Sequence, residues 1–354
     1  MSALRDEKVG IAIVGCGVVS EFQSQAILDV PEARIAGFFD AVPELARRRA
    51  DAYKARAYAS LEELLADPSV HAVSVCTPSG AHLEPAVAAA KARKHVMVEK
   101  PLEVTVERAD RIIAACREAG VILGAIFPRR FLDASRAVKA AVEGGRFGRI
   151  VLGDVEIKWY RTQEYYDKGG WRGTWKLDGG GALMNQGIHG IDLLQWLLGG
   201  VEEVAAFAAT LAHERIEVED VGVAAVRFKG GALGAIEGTT GFWPGTKIRI
   251  EIGGTRGSAV LEDETVISWR FQDEGPADEE IREKLGPRPG LSGGGAGDPR
   301  AISSEGHRRQ FEDFVRAIRT GGRPSVTGEE ARDAVAIVTA IYRSAREGRP
   351  VRVS

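Results

Sequence analysis

The run Val9-Gly-Ile-Ala-Ile-Val14 is apolar and ends directly in Gly15-x-Gly17-x-x-Ser20. A buried strand that breaks into glycines and then into a helix brings backbone amides close to a bound anion, because the first helical turn leaves its N–H groups without partners. Ser20 stands where the dinucleotide pattern has its third glycine. The surroundings strengthen the motif. A helix is expected over residues 19–29, and the next apolar run, Ile35-Ala-Gly-Phe-Phe39, ends in Asp40. A carboxylate about 20 residues past the glycines accepts the ribose hydroxyls of an adenosine and repels a 2′-phosphate. Ala41, Val42 and Pro43 bring no cation beside it, and the Arg47-Arg48-Arg49 run further on reads as a solvated helix face. The expected cofactor is NAD in preference to NADP, on Gly15, Gly17, Val18, Val19 and Asp40.

Residues 1–126 alternate between short β-branched runs (9–14, 34–39, 70–76, 95–98, 121–126) and helical patterns (19–29, 43–52, 60–66, 81–92, 104–119). Ser60-x-x-Glu63 reads as a capping box. This alternation predicts an α/β Rossmann domain, a doubly wound parallel sheet that binds ligands at the carboxyl ends of its strands. Thr77-Pro78 and Glu99-Lys100-Pro101 each follow an expected strand and so fall on that rim.

The remainder, 127–354, is expected to form one α+β domain for substrate binding and oligomerisation, on a large, mostly antiparallel open sheet. Its elements are a helix near 133–144, a long strand 149–161, a glycine-bounded helix 181–198, and strands 203–212, 220–228, 232–240, 246–252 and 257–271. Val221-Gly-Val-Ala-Ala-Val226 is apolar on both faces, which predicts a sheet covered twice and a homo-oligomer, dimer or tetramer, paired through it. Residues 272–300 lack apolar periodicity and read as a long loop: a lid, an arm or a surface loop. Helices over 304–320 and 328–347 close the chain, the second capped by Thr327-x-x-Glu330.

A net charge of −3 offers nothing to nucleic acid or an anionic membrane. No apolar stretch reaches the roughly 18 residues of a membrane span, and the first residues carry no signal-peptide core. Cys16, Cys76 and Cys116 are widely spaced and odd in number, as expected of reduced cysteines in the cytoplasm, and no metal-ligand spacing appears.

Thr77-Pro78-Ser79 with His82, Glu99-Lys100-Pro101, Arg129-Arg130-Phe131, and Gly179-Gly180-Gly181 leading to His189-x-x-Asp192 follow one another in order. As an ordered set over nearly the whole chain, closing with His307-Arg-Arg-Gln-Phe-Glu-Asp-Phe314, they resemble the Gfo/Idh/MocA family of nicotinamide-dependent sugar oxidoreductases. The resemblance implies catalytic roles for Lys100 and His189, and cofactor contacts from Thr77, Pro78, His82, Glu99 and Lys100. Chemistry agrees with the first pair: imidazole suits a general base for a sugar hydroxyl, and an ammonium stabilises developing alkoxide charge. Many members carry an aspartate four residues before the histidine. Here that position is Asn185, which shares a helical face with His189 and is expected to orient substrate. Asp192 reads two ways, as a support for the imidazole ring or as a contact to a neighbouring helix.

Tyr160, Arg161, Tyr165, Tyr166, Trp171, Arg172 and Trp175 precede the triple glycine. Aromatic faces stack on sugar C–H faces and arginine forks suit carboxylate or phosphate, so Tyr160, Arg172 and Trp175 join Lys100, Asn185 and His189 as candidate substrate contacts. The tryptophans equally suit packing. Asn185-Gln186 resembles the nucleotide-sugar 3-dehydrogenase branch. The expected activity is NAD-dependent oxidation of a ring hydroxyl of a sugar or cyclitol, at C3 of a pyranose. A second reading is a glycosidase that oxidises, eliminates and re-reduces on retained NAD; a third is a non-catalytic cofactor-binding module.

Overall fold

The computed structural model describes residues 7–168, 170–287 and 304–354. The chain divides into two compact units, Met1–Pro128 with Ser304–Arg332, and Arg129–Ser303 with Asp333–Ser354.

In the first unit the short apolar runs are strands and the longer amphipathic ones helices, in the order β1 (Val9–Val14), α1 (Val18–Leu28), β2 (Ala33–Phe39), α2 (Pro43–Tyr53), β3 (Arg56–Ala57), α3 (Leu61–Ala66), β4 (Ala72–Val75), α4 (Leu83–Lys91), β5 (His95–Val98), α5 (Val106–Ala119) and β6 (Leu123–Ala125). The sheet is parallel, ordered β3-β2-β1-β4-β5-β6. Strand order reverses between β1 and β4, and the crevice at such a reversal is where doubly wound sheets hold ligands. β3 was not anticipated, because both of its residues are exposed and carry no apolar signal. At the start of α3 the Glu63 N–H donates to Ser60 Oγ at 3.1 Å, while the Glu63 carboxylate accepts from Ala59 N–H at 2.8 Å.

The second unit begins with α6 (Asp133–Glu143), β7 (Ile150–Lys158) and the short α7 (Gln163–Asp167). The helix expected over 181–198 is two pieces, a π-helical segment Ala182–Gly187 and α8 (Ile188–Leu198). Then follow β8 (Val201–Ala209), β9 (Val221–Phe228), β10 (Leu233–Thr239), β11 (Arg249–Gly254), β12 (Gly257–Glu262), β13 (Thr265–Phe271) and α9 (Pro276–Leu285). The single strand expected over 257–271 is thus a hairpin, turned at Asp263 with φ +50°. Closing the chain are α10 (Glu305–Thr320), α11 (Gly328–Glu347) and β14 (Val351–Arg352). The eight-stranded sheet runs β13-β12-β11-β7-β10-β9-β8-β14 and is antiparallel except where β10 meets β7.

Three expectations need correction. First, residues 304–332 belong to the first unit, not with the rest of 127–354. Phe311, Phe314, Val315 and Ile318 of α10 join Ile11, Ile27, Met97 and Ile126 in its core, a return of the chain that local patterning does not encode. Second, among the described residues of one chain β9 is covered on one face only, so any second cover must come from another copy: Ala224, Val226 and Phe228 are buried, whereas Val223 is 46% exposed, opposite Phe207 at 84%, and Leu233 further along the same sheet is 52% exposed. Third, the segment expected as a loop over 272–300 contains α9; its part beyond 287 lies outside the described residues. α9 is polar on nearly every side, so it shows no apolar period. It is held by charge: Asp278 accepts from Gly275 N–H at 2.8 Å, from Trp269 Nε1 at 2.7 Å and from Arg146 Nη2 at 3.0 Å.

Asp278→Ala leaves the buried Trp269 N–H without its acceptor. We expect a loss of about 2–3 kcal/mol in urea unfolding and faster proteolytic cleavage within 276–285; unchanged cleavage would show that α9 is held by something else.

Candidate active site

In the first unit the glycine turn lies at the strand-order reversal. Gly15 has φ +93°, and a Cβ there would stand 2.6 Å from the backbone of Cys76 and Thr77 at the end of β4, so only glycine fits. Nothing in the described protein lies within 4 Å of a Cβ built on Gly17. That open face borders the start of α1, where Gly17 is the N-cap and no side chain caps the first-turn amides. Val18 and Val19 are exposed on the same turn. Asp40 accepts from Cys16 N–H at 2.7 Å and from Val42 N–H at 2.8 Å, which pins its carboxylate beside the turn. Unsatisfied amides, an open glycine and an anchored carboxylate fit a dinucleotide with free ribose hydroxyls.

Arg49 departs from the solvated role expected of it. It folds back to donate to the Gly17 carbonyl at 3.1 Å and pairs with Glu21 at 3.1 Å. Glu21 offsets its charge, so the turn gains no uncompensated cation.

The loops after β4 and β5 are tied together by His82, whose ring nitrogens lie 2.9 Å from the Pro101 carbonyl and 3.0 Å from the Thr77 carbonyl. Burial pushes the His82 pKa down. Expected among the cofactor contacts, this buried side chain is occupied by backbone and acts as a strut between the loops that carry Thr77-Pro78 and Lys100. Glu99 accepts from Gln23 Nε2 at 2.6 Å and from Lys100 N–H at 2.9 Å, and burial raises its pKa. Thr77 Oγ1 donates to the Ala81 carbonyl at 2.9 Å. The Lys100–Pro101 bond is cis, and Lys100 stands half-buried just past β5.

In the second unit the π-helical segment is seated by packing and by one carboxylate. Leu183 fills a slot between Gly222 of β9 and Gly238 of β10, which pair directly; a Cβ at either would approach Leu183 to 2.6 Å. Glu219 accepts from Gly181 N–H at 3.0 Å, Leu183 N–H at 2.8 Å and the Tyr342 hydroxyl at 2.8 Å. The three donors pull its pKa down, but burial prevails and pushes it up to about 7. Sequence reading passed over Glu219; the signal was an acidic pair, Glu219-Asp220, opening an apolar strand. Asn185 is buried and His189 half-buried, four residues apart. Asn185 Nδ2 donates to Asp178, a fully buried carboxylate also missed in the sequence.

Asp192 turns both oxygens onto Arg130, at 2.8 Å from Nε and 2.5 Å from Nη2, so this buried pair joins α8 to the turn before α6. Tyr160 is half-buried and bridges to Gly241. Arg172 stacks on Tyr165, 4.5 Å from its centroid, and on Trp171 at 5.3 Å, and its buried Nε meets no acceptor among the described residues. Trp175 packs edge-on against Tyr342 at 5.2 Å and remains 46% exposed. Cys16, Cys76 and Cys116 are free thiols; burial pushes Cys16 and Cys116 up to about 12 and raises Cys76, so none is a nucleophile near neutrality.

A carboxyl whose pKa is raised by folding stabilises the fold below its unfolded value, near 4.5, and that contribution is lost as pH climbs to about 7. Glu219→Gln places an amide nitrogen against backbone donors. Thermal melts should show the variant less stable by about 1–3 kcal/mol at pH 5 and closer to wild type at pH 7.5. A constant gap across that range would deny the titration.

Residues 9–127 match the oxidoreductase family with an NAD-binding Rossmann fold, and residues 135–260 match the GFO/IDH/MocA C-terminal domain. The structure is similar to the WlbA dehydrogenase of Bordetella pertussis solved with NADH and UDP-GlcNAcA, with a TM-score of 0.90 and 37% identity over 99% of both chains. A 1,5-anhydro-D-fructose reductase of Ensifer adhaerens is 31% identical over 83% of each chain. Myo-inositol 2-dehydrogenase of Thermotoga maritima is 27% identical over 97% of this chain and 98% of its own. The chain is thus an NAD-binding CH–OH oxidoreductase that acts on a small carbohydrate or cyclitol, and it belongs to the Gfo/Idh/MocA family.

Proposed function

We propose that this enzyme oxidises the C3 hydroxyl of a nucleotide-linked pyranose that bears a carboxylate. Arg172 carries the reading: it is a planar cation braced by two aromatic rings. Such a fork suits a uronate or a phosphate. The similarity over 99% of the chain to a dehydrogenase solved with UDP-GlcNAcA supports the same substrate class. NAD, when bound on Gly15, Gly17, Val18, Val19 and Asp40, supplies the hydride acceptor. Thr77-Pro78 and Glu99-Lys100 form the rest of its rim, braced by His82.

In this reading His189 takes the hydroxyl proton and Lys100 stabilises the developing oxyanion with its ammonium. Asn185 orients the hydroxyl, and Tyr160 and Trp175 offer aromatic surface to the sugar ring. Copies of the chain pair through the exposed apolar face of β8–β10, which carries Phe207, Val223 and Leu233. The three free thiols suit the cytoplasm, and no helix among the described residues is long and apolar enough to cross a membrane.

The test is a panel of UDP-sugars, UDP-uronates, free sugars, cyclitols and glycosides with NAD and NADP, read for NADH and product. UDP-GlcNAcA should give NADH and a 3-keto product. Release of an aglycone without net NADH would replace this reading with the elimination cycle. Lys100→Ala should lower kcat by about 10²–10³-fold while NAD affinity holds; wild-type turnover would remove the lysine from the mechanism. Asp40→Ala should weaken NAD and narrow its preference over NADP, and an unchanged preference would refute the ribose contact.

A further inference from the structure

Two charges from separate turns bracket the amides of the π-helical segment. Arg161, buried, donates from Nη2 to Gln186 Oε1 at 2.9 Å and from Nη1 to the Tyr160 carbonyl at 2.8 Å. It also lies over the rings of Trp159 and Tyr165, 5.0 and 5.6 Å from their centroids. Gln186 Nε2 donates to Asn185 Oδ1 at 3.2 Å and to the Tyr165 hydroxyl at 3.0 Å. Asn185 Nδ2 donates to Asp178, whose other oxygen accepts from Gly173 N–H at 2.8 Å. The row therefore runs from a cation through two amides to a carboxylate.

A guanidinium only donates and an ionised carboxylate only accepts. With those at the two ends, a single orientation of each amide satisfies the whole row. Turning either one over would set donor against donor, or acceptor against acceptor, where water does not compensate. An asparagine alone in a pocket can turn either end toward a hydroxyl. This one is fixed in orientation, because Asp178 accepts from its nitrogen and Gln186 donates to its oxygen.

We propose that Asp178 is a positioning residue of the reaction: by holding the Asn185 nitrogen it presents the Asn185 oxygen, a fixed acceptor, to the substrate hydroxyl served by His189. The inference rests on the reading that Asn185 and His189 meet the substrate. It adds a role in the reaction to a buried carboxylate that also ties the Gly173 turn to the π-helical segment.

The exchange D178N/N185D tests this against D178N alone. In D178N both positions hold amides and the end charge is gone, so Asn185 is free to turn over. In the double variant the new amide donates to the new carboxylate, which still accepts from Gln186, and every bond of the row survives. With UDP-GlcNAcA and NAD, D178N should lose about 10²-fold in kcat/KM while NAD affinity is unchanged. The double variant should recover most of that loss, with the basic group of its pH–rate profile moved upward by the carboxylate now beside His189. A folded D178N with wild-type kcat/KM would overturn the proposal, as would a double variant no better than D178N. A wild-type enzyme inert to the whole panel would instead refute the function reading. The row would then be judged by melting midpoints: recovery in the double variant of a loss seen in D178N supports it, and equal losses overturn it.

Discussion

The second unit depends on how one buried carboxylate meets the start of a helical segment. Glu219 sits at the head of β9 and takes two amides of the segment's first turn, those of Gly181 and Leu183, together with the Tyr342 hydroxyl of α11. A helix start buried in apolar surroundings leaves N–H groups that must be paired. Here the acceptor comes from a neighbouring strand, not from the segment's own N-cap, which is Gly181 and has no side chain to offer. The same strand contributes Gly222, which with Gly238 opens the slot for Leu183. Charge and shape thus fix one segment, and that segment carries Asn185, Gln186 and the approach to His189.

The polar groups of this unit are organised by the same rule. Buried charges are expensive unless paired and hydrogen-bonded. Arg130 with Asp192, Arg161 with the Gln186 amide, Asp178 with Asn185 and Gly173, and Asp220 with the amides of Leu211, Ala212 and His213 each satisfy it. None of these side chains is held by a single bond. A site assembled this way has little freedom to rearrange, which suits recognition of one hydroxyl among several on a sugar ring.

Much of the first unit was legible in the chain. The β1–glycine–α1 turn, Asp40 at the end of β2, and the rim positions of Thr77 and Lys100 follow from local patterns, since a parallel sheet alternating with helices repeats one simple unit. Even the Thr327-Glu330 capping box was readable, and both of its bonds form, at 3.1 and 3.3 Å. The misreadings share a cause. α9 is stabilised by ion pairs and an aspartate cap instead of an apolar stripe, Arg49 folds onto a carbonyl from a distant turn, and α10 returns to a core built two hundred residues earlier. Periodicity records which face of an element is apolar, not what that face will meet.

The sequence by itself therefore determined the elements, the glycine turn and the residue types able to move a hydride's partner proton, because each of these is set by neighbours a few positions away. Tertiary structure alone decided which polar groups pair: Glu219 with the amides before Asn185, Asp192 with Arg130, and Asp178 with Asn185. Those pairings depend on the path of the chain through space, and a carboxylate's sequence carries no mark of the donor it will face.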